Sequence, residues 1–453
     1  MIIKFSSKLK ALAKRLSAPL YAVGGCVRGA IINGELSDDI DLSGAISAEE
    51  VANAISSVGF SFSAEYDRTG TVVFCEKGSK TKYEFTSFRE ESYAKGGNHQ
   101  PLTTAFTTDI VTDAKRRDFK CNAVYYDILN DKIVDPLGGV ADIKNKILDT
   151  VRPPKEVFQS DGLRLMRLAR FSGELNFTPT DAVKNGAMAY AENIKDISGE
   201  RIYAELTRML VSDKKYSYSD PRGHYTSVKL LHEIGVLKYI FPELVLGEGM
   251  PQRKDFHKYD VLEHGFRALL YSREDVRLPA LLHDIGKPVV FLRDGTYHFH
   301  DEEGVKIARE RLGALKAPRR VIDDTCWLIL NHMYDLRLDE TDKDVRKFIV
   351  TNYGRIDALL AIKETDIKAS SETLVPLTVK RWKKLIDDMK KSGAPFSLKE
   401  LAINGFDLEK IGVRGKLTGI ILQKLFFISI ENPKLNERET LLTLAKEYFD
   451  ELV

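Results

Sequence analysis

An apolar segment that ends in two glycines and an arginine, followed by two aspartates one residue apart, constrains this chain more than any other feature. The apolar residues Leu20–Val23 predict a short buried strand, and Gly24-Gly25 lets backbone amides come close to an anion. Arg28 follows early in an amphipathic segment. Strand alternation then places Asp39 and Asp41 on one face, with apolar residues on the other.

Two carboxylates on one face of a strand repel each other unless cations lie between them. A pair of Mg²⁺ ions held by Asp39 and Asp41 would activate a hydroxyl group and bind a triphosphate. The alternative interpretation of such an aspartate pair is a solvated acidic turn. The glycine pair and Arg28 in front of it favour the metal site.

Further residues suited to a nucleotide lie downstream. Glu84 falls on a predicted strand, 82–88, and would supply a third carboxylate, although a strand glutamate is also consistent with a plain surface position. Arg117 suits triphosphate oxygens, while Asp118 and Asn122 suit ribose hydroxyls. The segment 135–142 predicts a tight turn before a helix, with a mainly structural role.

Asp161 and Arg164 are neighbours if their segment is helical, as the pattern predicts. A surface ion pair is one interpretation. A fixed acceptor beside a fixed donor also matches the edge shared by cytosine and adenine, an amino group next to a ring nitrogen, which uracil and guanine reverse. Such a pair would accept CTP and ATP and reject UTP and GTP. Arg167 and Arg170 extend the positive charge toward a phosphate chain.

A second candidate site is a series of histidines and aspartates on predicted helices: His264, His283-Asp284, His300-Asp301 and His332. Imidazole and carboxylate groups suit a divalent transition metal that activates water. Histidines on apolar helices also occur in protein cores, so a structural role is the alternative. His257 would add a further contact.

A basic cluster marks the C-terminal part of the chain: Lys380, Arg381, Lys383 and Lys384 surround a tryptophan. Such a cluster would bind RNA phosphates with salt-sensitive affinity. A solvated helix face is equally consistent with the charge alone.

Length and composition set outer limits. At 453 residues the chain is long enough for two or more domains. Its 68 lysines and arginines against 66 aspartates and glutamates leave it nearly neutral, so a polyanion has to bind a local basic face. Scattered cysteines and the lack of a signal peptide or long apolar run predict a cytoplasmic protein without membrane association.

The hydrophobic pattern predicts an α+β chain, with a small mixed sheet followed by an almost wholly helical body. We expect an amphipathic helix within 1–20, a helix over 48–58, strands over 71–76, 82–88, 123–126 and 132–134, a hairpin turn at 77–80, and a mobile segment over 89–112. We divide the chain into a head (1–150), a neck (151–220), a histidine-bearing helical domain (221–360) and a helical tail (361–453).

Together these motifs resemble those of the bacterial class II tRNA nucleotidyltransferases, the CCA-adding enzymes, in the polymerase-β-like superfamily that also holds bacterial poly(A) polymerases. The resemblance is carried by GGCVR (24–28), DID (39–41), RRDFKCNA (116–123), DPLGGVADI (135–143), DGLRLMRLARF (161–171) and SGERIYAEL (198–206). PFSLKELAINGFDL (395–408) resembles the family's tRNA-facing end, and LLHDIGKP (281–288) resembles the signature of HD-domain phosphohydrolases.

The resemblance implies a polymerase-β-like catalytic head, a neck that recognises the base, an HD-type body and a tRNA-binding tail. Its implied site residues are Asp39, Asp41 and Glu84 for Mg²⁺, Gly25, Arg28 and Arg117 for the triphosphate, Asp161 and Arg164 for the base, and Arg167 and Arg170 around the nucleotide. The chain departs from the family pattern at Gly29, where an acid is usual, and at Ser160, where a glutamate is usual. A longer spacing before the aspartates makes Asp38 a rival of Asp39 as first ligand.

We therefore expect template-independent addition of C, C and A to the 3′ end of tRNA from CTP and ATP. The tRNA would be bound through its 3′ end and its acceptor and T arms, by a monomer or a homodimer. Alternatives of the same chemistry are a poly(A) polymerase or an enzyme that adds only CC or only A. An alternative of another class is an HD-domain phosphohydrolase acting on RNA ends or nucleotides.

Overall fold

The computed structural model describes residues 2–76, 78–93, 101–252, 258–371 and 375–452. The chain forms two compact units, one of Met1–Val245 with Arg311–Pro318, the other of Leu246–Glu310 with Arg319–Val453. His257 and the centre of the segment expected to be mobile, 94–100, lie outside the described residues. Within the described residues, none of the helices has the length and apolar character that crossing a lipid bilayer requires.

The strands are β1 (Tyr21–Val23), β2 (Asp39–Gly44), β3 (Phe60–Tyr66), β4 (Thr71–Glu76), β5 (Lys82–Ser87), β6 (Arg89–Tyr93), β7 (Pro101–Phe106), β8 (Tyr125–Asp127), β9 (Lys132–Val134), β10 (Ile147–Leu148) and β11 (Thr178–Pro179). Seven of them form one sheet in the order β3-β4-β5-β2-β1-β8-β9. In this sheet β2 and β5 run parallel, and the other neighbours run antiparallel. β6 and β7 form a separate hairpin, and β10 pairs with β11.

The helices up to residue 245 are α1 (Ser7–Ala13), α2 (Gly25–Asn33), α3 (Ala48–Ile55), α4 (Ile110–Arg116), α5 (Gly139–Asn145), α6 (Pro154–Ser160), α7 (Leu163–Leu175), α8 (Asp181–Ala189), α9 (Gly199–Leu210), α10 (Gly223–Glu233), α11 (Leu237–Ile240) and α12 (Pro242–Val245). Those that follow are α13 (Val261–Tyr271), α14 (Arg277–Leu282), α15 (Gly286–Asp294), α16 (His300–Ala314), α17 (Arg319–Asn331), α18 (Asp342–Thr351), α19 (Tyr353–Ser370), α20 (Leu377–Lys391), α21 (Gly405–Lys410), α22 (Lys416–Glu431) and α23 (Arg438–Leu452).

The core of the head lies around the central strands. Ala22 and Val23 of β1 and Phe85 of β5 are fully buried, and Val23 belongs to an apolar cluster with Tyr125 and Val157. Val157 comes from α6, so this cluster joins the sheet to the first neck helix. In the second unit Trp382 of the tail is completely buried in the largest apolar cluster described there.

The predicted α+β architecture is confirmed, as are the helix after residue 48 and the strands of β4, β5 and β9. Three expectations were less accurate. The N-terminal helix covers only Ser7–Ala13, and β8 begins at Tyr125 because Lys120–Asn122 form a single 3-10 turn. The segment 89–112 contains β6, β7 and the start of α4, so its described parts are regular structure.

The turn before α5 has the structural role expected of it. Oδ1 of Asp135 accepts a hydrogen bond from the amide of Gly139 at 2.8 Å, and Oδ2 accepts one from the amide of Val140 at 3.0 Å. These are the amides that a helix start leaves without partners. The carboxylate therefore stabilises the first turn of α5.

Replacing Asp135 by alanine should lower the free energy of unfolding by about 1 kcal/mol, because the first turn of α5 loses its cap. Asp135→Asn keeps one acceptor oxygen and should lose less. Urea or thermal unfolding followed by circular dichroism measures both. Glu65→Ala, at an exposed position of β3, is the control and should stay within about 0.5 kcal/mol of the wild type. Equal stabilities of Asp135→Ala and Glu65→Ala would contradict the capping role.

Candidate functional sites in the head, neck and HD-type region

The acidic face of β2 lies between β1 and β5. Asp39 and Asp41 lie on the open face of β2, where neighbouring groups surround the Asp41 carboxylate, whereas the apolar residues that alternate with them are buried. In the sheet register Asp41 is paired with Glu84 of β5 on one side and with Val23 of β1 on the other. The structure therefore brings the predicted third carboxylate beside the aspartates, while Asp38 lies one residue before the strand.

A cavity of about 390 Å³ opens beside these carboxylates. Asp41 and Glu84 contribute acidic groups to its lining, and Arg89, Arg116 and Arg117 contribute guanidinium groups. Guanidinium groups bind phosphate oxygens, and carboxylates bind hard divalent cations. This combination suits a ligand that carries both phosphates and metal ions.

The groups that surround Asp41 shift the pKa of its carboxyl group. Loss of hydration raises its pKa from 3.8 to about 6, against the opposing charge of Arg117. The carboxylates of Glu84 and Asp39 add to the rise. A divalent cation between these groups would remove the repulsion, so the residues present fit a metal ion.

The turn after β1 closely approaches this site. Gly24 has a φ angle of 79°, and a Cβ atom there would lie 3.1 Å from Oδ2 of Asp41 and 4.0 Å from Nη1 of Arg117. Only glycine adopts this backbone without strain. As a result, the N-terminus of α2, which begins at Gly25, starts beside a carboxylate and a guanidinium group.

Arg28 of α2 is buried, and its partners are neutral. One terminal nitrogen donates to Oδ1 of Asn122, the other donates to the hydroxyl of Tyr216 at 3.4 Å, and the guanidinium lies 5.1 Å from the ring centre of Phe171. Among the described residues, Arg28 forms no ion pair with a carboxylate. A buried cation without a counter-ion favours the binding of an anion.

Asp118 and Asn122 were expected to contact ribose, but they are engaged inside the protein. The amide of Asn122 donates to Oδ1 of Asp118 at 3.0 Å, and Nε of Arg167 donates to its Oδ2 at 2.7 Å. Burial alone would raise the pKa of Asp118. The charge of Arg167 and the hydrogen bond from Asn122 instead hold this pKa well below its usual value. The chain Arg28–Asn122–Asp118–Arg167 thus joins α2 of the head to α7 of the neck.

Asp113 is a residue that the sequence analysis missed. It is fully buried, and it accepts hydrogen bonds from Arg116 at 2.7 Å, from Arg117 at 3.3 Å and from the Tyr125 hydroxyl at 2.6 Å. It therefore fixes two of the arginines that line the cavity. The sequence does contain a signal for it: Asp113 stands three residues before Arg116 and four before Arg117, the spacings at which helical side chains meet.

The two predicted base-reading residues are neighbours, but not within one helix as expected. Asp161 lies in extended backbone in the break between α6 and α7, and its Oδ1 accepts the amide of Leu163 at 2.9 Å. Arg164 follows in the first turn of α7 and donates to Oγ of Ser160 at 3.2 Å and to the carbonyl of Arg116 at 2.6 Å. The break explains the difference, because it lets the aspartate cap the helix that carries the arginine.

Between them, Gly162 packs against the neck backbone. A Cβ atom at Gly162 would lie 2.3 Å from the carbonyl oxygen of Asn193. Since the close neighbour is backbone, it cannot move aside as a flexible side chain would. The break between α6 and α7 is therefore held at a fixed position in the neck.

Arg170 has a different role from the one expected. It is buried and donates to Glu174 at 3.1 Å and to Glu205 at 2.7 Å. Both carboxylates are themselves buried. We assign Arg170 to the packing of α7 on α9, because its donors are directed at these two acids rather than at a ligand.

The predicted histidine series converges in the second unit. Two triads of ligand groups share one carboxylate: His264 and His283 with Asp284, and His300 and His332 with Asp284. The Nε2 atoms of His264 and His283 are 3.2 Å apart, and those of His300 and His332 are 3.3 Å apart. All these side chains are buried.

Backbone carbonyls orient three of these rings. Nδ1 of His283 donates to the carbonyl of Ala280, Nδ1 of His300 to that of Tyr297 and Nδ1 of His332 to that of Ile329, at 2.6 to 2.8 Å. Each bond leaves Nε2 as the atom that faces the cluster. This is the arrangement of metal-binding histidines, so the residues fit a divalent transition metal.

Asp366 of α19, which the sequence analysis missed, completes this cluster. Its Oδ1 lies 3.0 Å from Nε2 of His264 and 3.5 Å from Nε2 of His283. Burial lowers the pKa of His264 and of His332, which favours neutral rings there, whereas the carboxylates of Asp284 and Asp366 outweigh burial and raise the pKa of His283 to about 10. Asp366 is far from the other ligands in sequence, and only the packing of α13 on α19 brings it here.

The basic cluster of the tail is partly committed to internal contacts. Arg381 donates to Asp335 at 3.1 Å and to Asp342 at 2.7 Å, Trp382 is buried, and Lys383 pairs with Glu364 at 3.3 Å. Lys380 and Lys384 are exposed. RNA binding by Lys380, Arg381, Lys383 and Lys384 stays a prediction, in which Arg381 also has aspartate partners that lie far away in sequence.

Three family models match this chain. They are the poly A polymerase head domain over residues 20–149, the "Probable RNA and SrmB- binding site of polymerase A" over 176–246 and the HD domain over 261–359. A polymerase-type head with an arginine-lined acidic site, joined to an HD domain, defines a nucleotidyltransferase.

Comparison with known proteins narrows this class. The multifunctional CCA protein of Stenotrophomonas maltophilia is 30% identical over 361 residues, which cover 75% of this chain and 81% of that protein. The A-adding tRNA nucleotidyltransferase of Deinococcus radiodurans is 33% identical over 277 residues, 57% of this chain, and the match spans 60% of its length. The chain belongs to the family of the CCA-adding tRNA nucleotidyltransferases.

The fold agrees with this family. A crystal structure of the Bacillus stearothermophilus CCA-adding enzyme in complex with CTP aligns with a TM-score of 0.66 over 99% of both chains, at 22% identity. A structure of a CCA-adding enzyme with ATP aligns with a TM-score of 0.63 at 16% identity. The predicted family membership is confirmed.

The pKa of Asp41 makes metal binding in the head depend on pH. Because a cation binds the ionised carboxylate, Mg²⁺ affinity should rise by up to about tenfold per pH unit below pH 6 and level off above it. Without metal, the folded state binds this proton more tightly than the unfolded chain, so the contribution of Asp41 to stability falls as pH rises from 3.8 to about 6. Calorimetric titration of metal-free protein with Mg²⁺ at several pH values measures the affinity.

This titration is best done with Asp284→Ala, which removes the carboxylate shared by the two histidine triads. Asp41→Asn in the same background is the control and should abolish the rise near pH 6. A Mg²⁺ affinity that is flat between pH 5 and pH 7 in the parent protein would contradict the assignment.

Proposed function

We propose that this enzyme adds C, C and A to the 3′ end of tRNA from CTP and ATP without a template. The observation that carries the proposal is that Asp41 and Glu84 line a cavity together with Arg89, Arg116 and Arg117, while Asp39 lies on the same face of β2 as Asp41. The 3′ hydroxyl of tRNA would attack the α-phosphate in line, and pyrophosphate would leave. Similar solved structures of CCA-adding enzymes hold CTP or ATP, and one of a tRNA nucleotidyltransferase holds a primer tRNA with an ATP analogue.

Asp39 and Asp41 would hold Mg²⁺, with Glu84 as a third carboxylate. Bound there, magnesium would lower the pKa of the attacking hydroxyl and neutralise the leaving oxygens. We favour Asp39 over Asp38 as the first ligand, because Asp39 shares a strand face with Asp41 and Asp38 precedes the strand. The magnesium assignment rests on the preference of this ion for oxygen ligands.

Arg28, Arg117 and the amide of Gly25 would bind the triphosphate. Arg28 is a buried cation whose hydrogen-bond partners are neutral, so an incoming phosphate would supply a direct ion pair. Arg117 is held by Asp113 next to the turn at Gly24. The helix start at Gly25 adds backbone amides aimed at an anion.

Asp161 and Arg164 would select the base. Oδ1 of Asp161 is bonded to a backbone amide, which leaves Oδ2 to accept the amino group of cytosine or adenine. Arg164 would donate to the adjacent ring nitrogen. UTP and GTP present a carbonyl and an N–H group in the reverse order, so each would leave buried polar groups without partners.

The sequence-based division into head, neck, HD-type domain and tail is proposed as the functional organisation, with Arg167 assisting near the nucleotide. Exposed Lys380 and Lys384 in the tail would contact the tRNA backbone. A cytoplasmic location and a monomeric or homodimeric state stay predictions.

A second activity is favoured by the paired triads of the HD-type region. We propose that His264, His283, Asp284 and Asp366 hold one divalent transition metal, and that Asp284, His300 and His332 hold another. Such ions would activate water for the hydrolysis of phosphoesters on RNA ends or nucleotides. This region would act independently of the nucleotidyl transfer site.

Asp39→Asn combined with Asp41→Asn should reduce nucleotidyl transfer by about 10³-fold or more, because metal stabilisation of the transition state is worth several kcal/mol. The assay supplies tRNA that lacks its 3′ CCA with labelled CTP and ATP, and resolves products by length. Asp38→Asn is the matched control and should keep activity. The wild type should add C, C and A in order and stop.

Other product patterns decide between the alternatives. Open-ended addition of A would identify a poly(A) polymerase, and addition of A only to tRNA ending in CC would identify an A-adding enzyme. Full activity of the double variant would refute the metal assignment.

Asp366→Ala should lose one of two transition metal ions per chain, and Asp284→Ala should lose both, because Asp284 belongs to both triads. Metal content after dialysis is measured by mass spectrometry, and phosphodiester hydrolysis is followed with a chromogenic substrate. Glu364→Ala, two residues before Asp366 on α19, is the control and should keep both ions. Retention of both ions by Asp284→Ala would refute the shared site, and His283→Ala should leave tRNA extension intact.

A further inference from the structure

The loop between α9 and α10 carries two tyrosines that lie against α2, the helix of the head that contains Arg28. The rings of Tyr216 and Tyr218 are stacked with their centres 5.0 Å apart and their planes 3° apart. Between them, Oγ of Ser217 lies 3.1 Å from the amide of Asn33 and 3.2 Å from a carboxylate oxygen of Glu35. We call residues 216–218 the tyrosine segment.

The tyrosine segment occupies the space beside Arg28 and Gly29. The hydroxyl of Tyr216 accepts a hydrogen bond from the Arg28 guanidinium at 3.4 Å. The hydroxyl of Tyr218 would lie 3.7 Å from a Cβ atom placed on Gly29, and the carbonyl oxygen of Glu35 would lie 3.3 Å from it. A side chain at position 29 would therefore meet the Glu35 carbonyl tightly and touch the Tyr218 hydroxyl at ordinary contact distance.

The groups around Arg28 determine whether its positive charge stays available for an anion. Burial raises the pKa of Tyr218 to about 12 although Arg28 opposes the rise, so this hydroxyl stays neutral at physiological pH. Asn122, which accepts from Arg28, is neutral as well, and the charge of Glu174 acts on Arg28 without an ion pair between them. A carboxylate in direct contact would orient Arg28 but would also cancel its charge. The Tyr216 hydroxyl orients the guanidinium and leaves its positive charge available.

We propose that Tyr216 is a positioning residue that aims Arg28 at the nucleotide triphosphate, and that Tyr218 supports it by stacking on its ring. This inference rests on the proposed nucleotidyl transfer. The tyrosines touch no part of the substrate in this scheme, and their effect passes through the guanidinium. Because the triphosphate is common to both substrates, CTP and ATP are affected alike.

Tyr216→Phe removes the hydroxyl and keeps the ring stack. The KM for CTP and for ATP should rise by the same factor, about three- to tenfold, with kcat changed less than about twofold. The inhibition constant of inorganic tripolyphosphate, which has no base, should rise by that factor too. Tyr225→Phe is the matched control, since its hydroxyl contacts Lys229 on α10 and not Arg28, and should change neither value.

A double-mutant cycle with Arg28→Lys tests whether the tyrosine acts through the arginine. In that background Tyr216→Phe should have little further effect on KM. The proposal is overturned by unchanged KM and tripolyphosphate inhibition in Tyr216→Phe, by a change for one nucleotide only, or by an equal effect in both backgrounds. If the wild type transfers no nucleotide, the proposed function fails, and calorimetric binding of tripolyphosphate to wild type and Tyr216→Phe still tests the positioning role.

Discussion

A buried run of hydrogen bonds from Arg28 through Asn122 and Asp118 to Arg167 is the interaction on which the nucleotide site depends. It connects α2, the helix after β1, to α7 of the neck. In a low-dielectric interior, such a network is stable only when each polar group has its partner. Arg28, proposed to bind phosphate, and the neck helix that carries Arg164, proposed to contact the base, are consequently held in one frame, although they lie more than a hundred residues apart in sequence.

The local part of this arrangement was predictable from the sequence. Strand alternation is a property of consecutive residues, so it identified the shared face of Asp39 and Asp41 and the structure has the same face. The position of Glu84 beside Asp41 depends on a parallel register between β2 and β5, which only the structure specifies. The family resemblance named the residue but gave no physical reason for the contact.

What the sequence could not predict was the pairing of charges over long distances. Arg170 and Arg167 are equivalent in pattern, yet Glu205 of α9, together with Glu174 on its own helix, commits Arg170 to packing. Asp366 reaches the histidine cluster only through helix packing. Arg381 was assigned to RNA from composition, whereas Asp335 and Asp342 neutralise it. Each case concerns a partner that no local window contains.

The close approach of Gly162 to the carbonyl of Asn193 limits how this enzyme could acquire a different monomer preference. Gly162 lies between Asp161 and Arg164, the residues proposed to contact the base. Because it packs against backbone, a pocket of another width or direction cannot arise by a shift of this peptide. Variation is confined to the side chains themselves and to whatever reorients them. Relatives that share this contact would change their choice of nucleotide through the side chains that point outward from a fixed backbone.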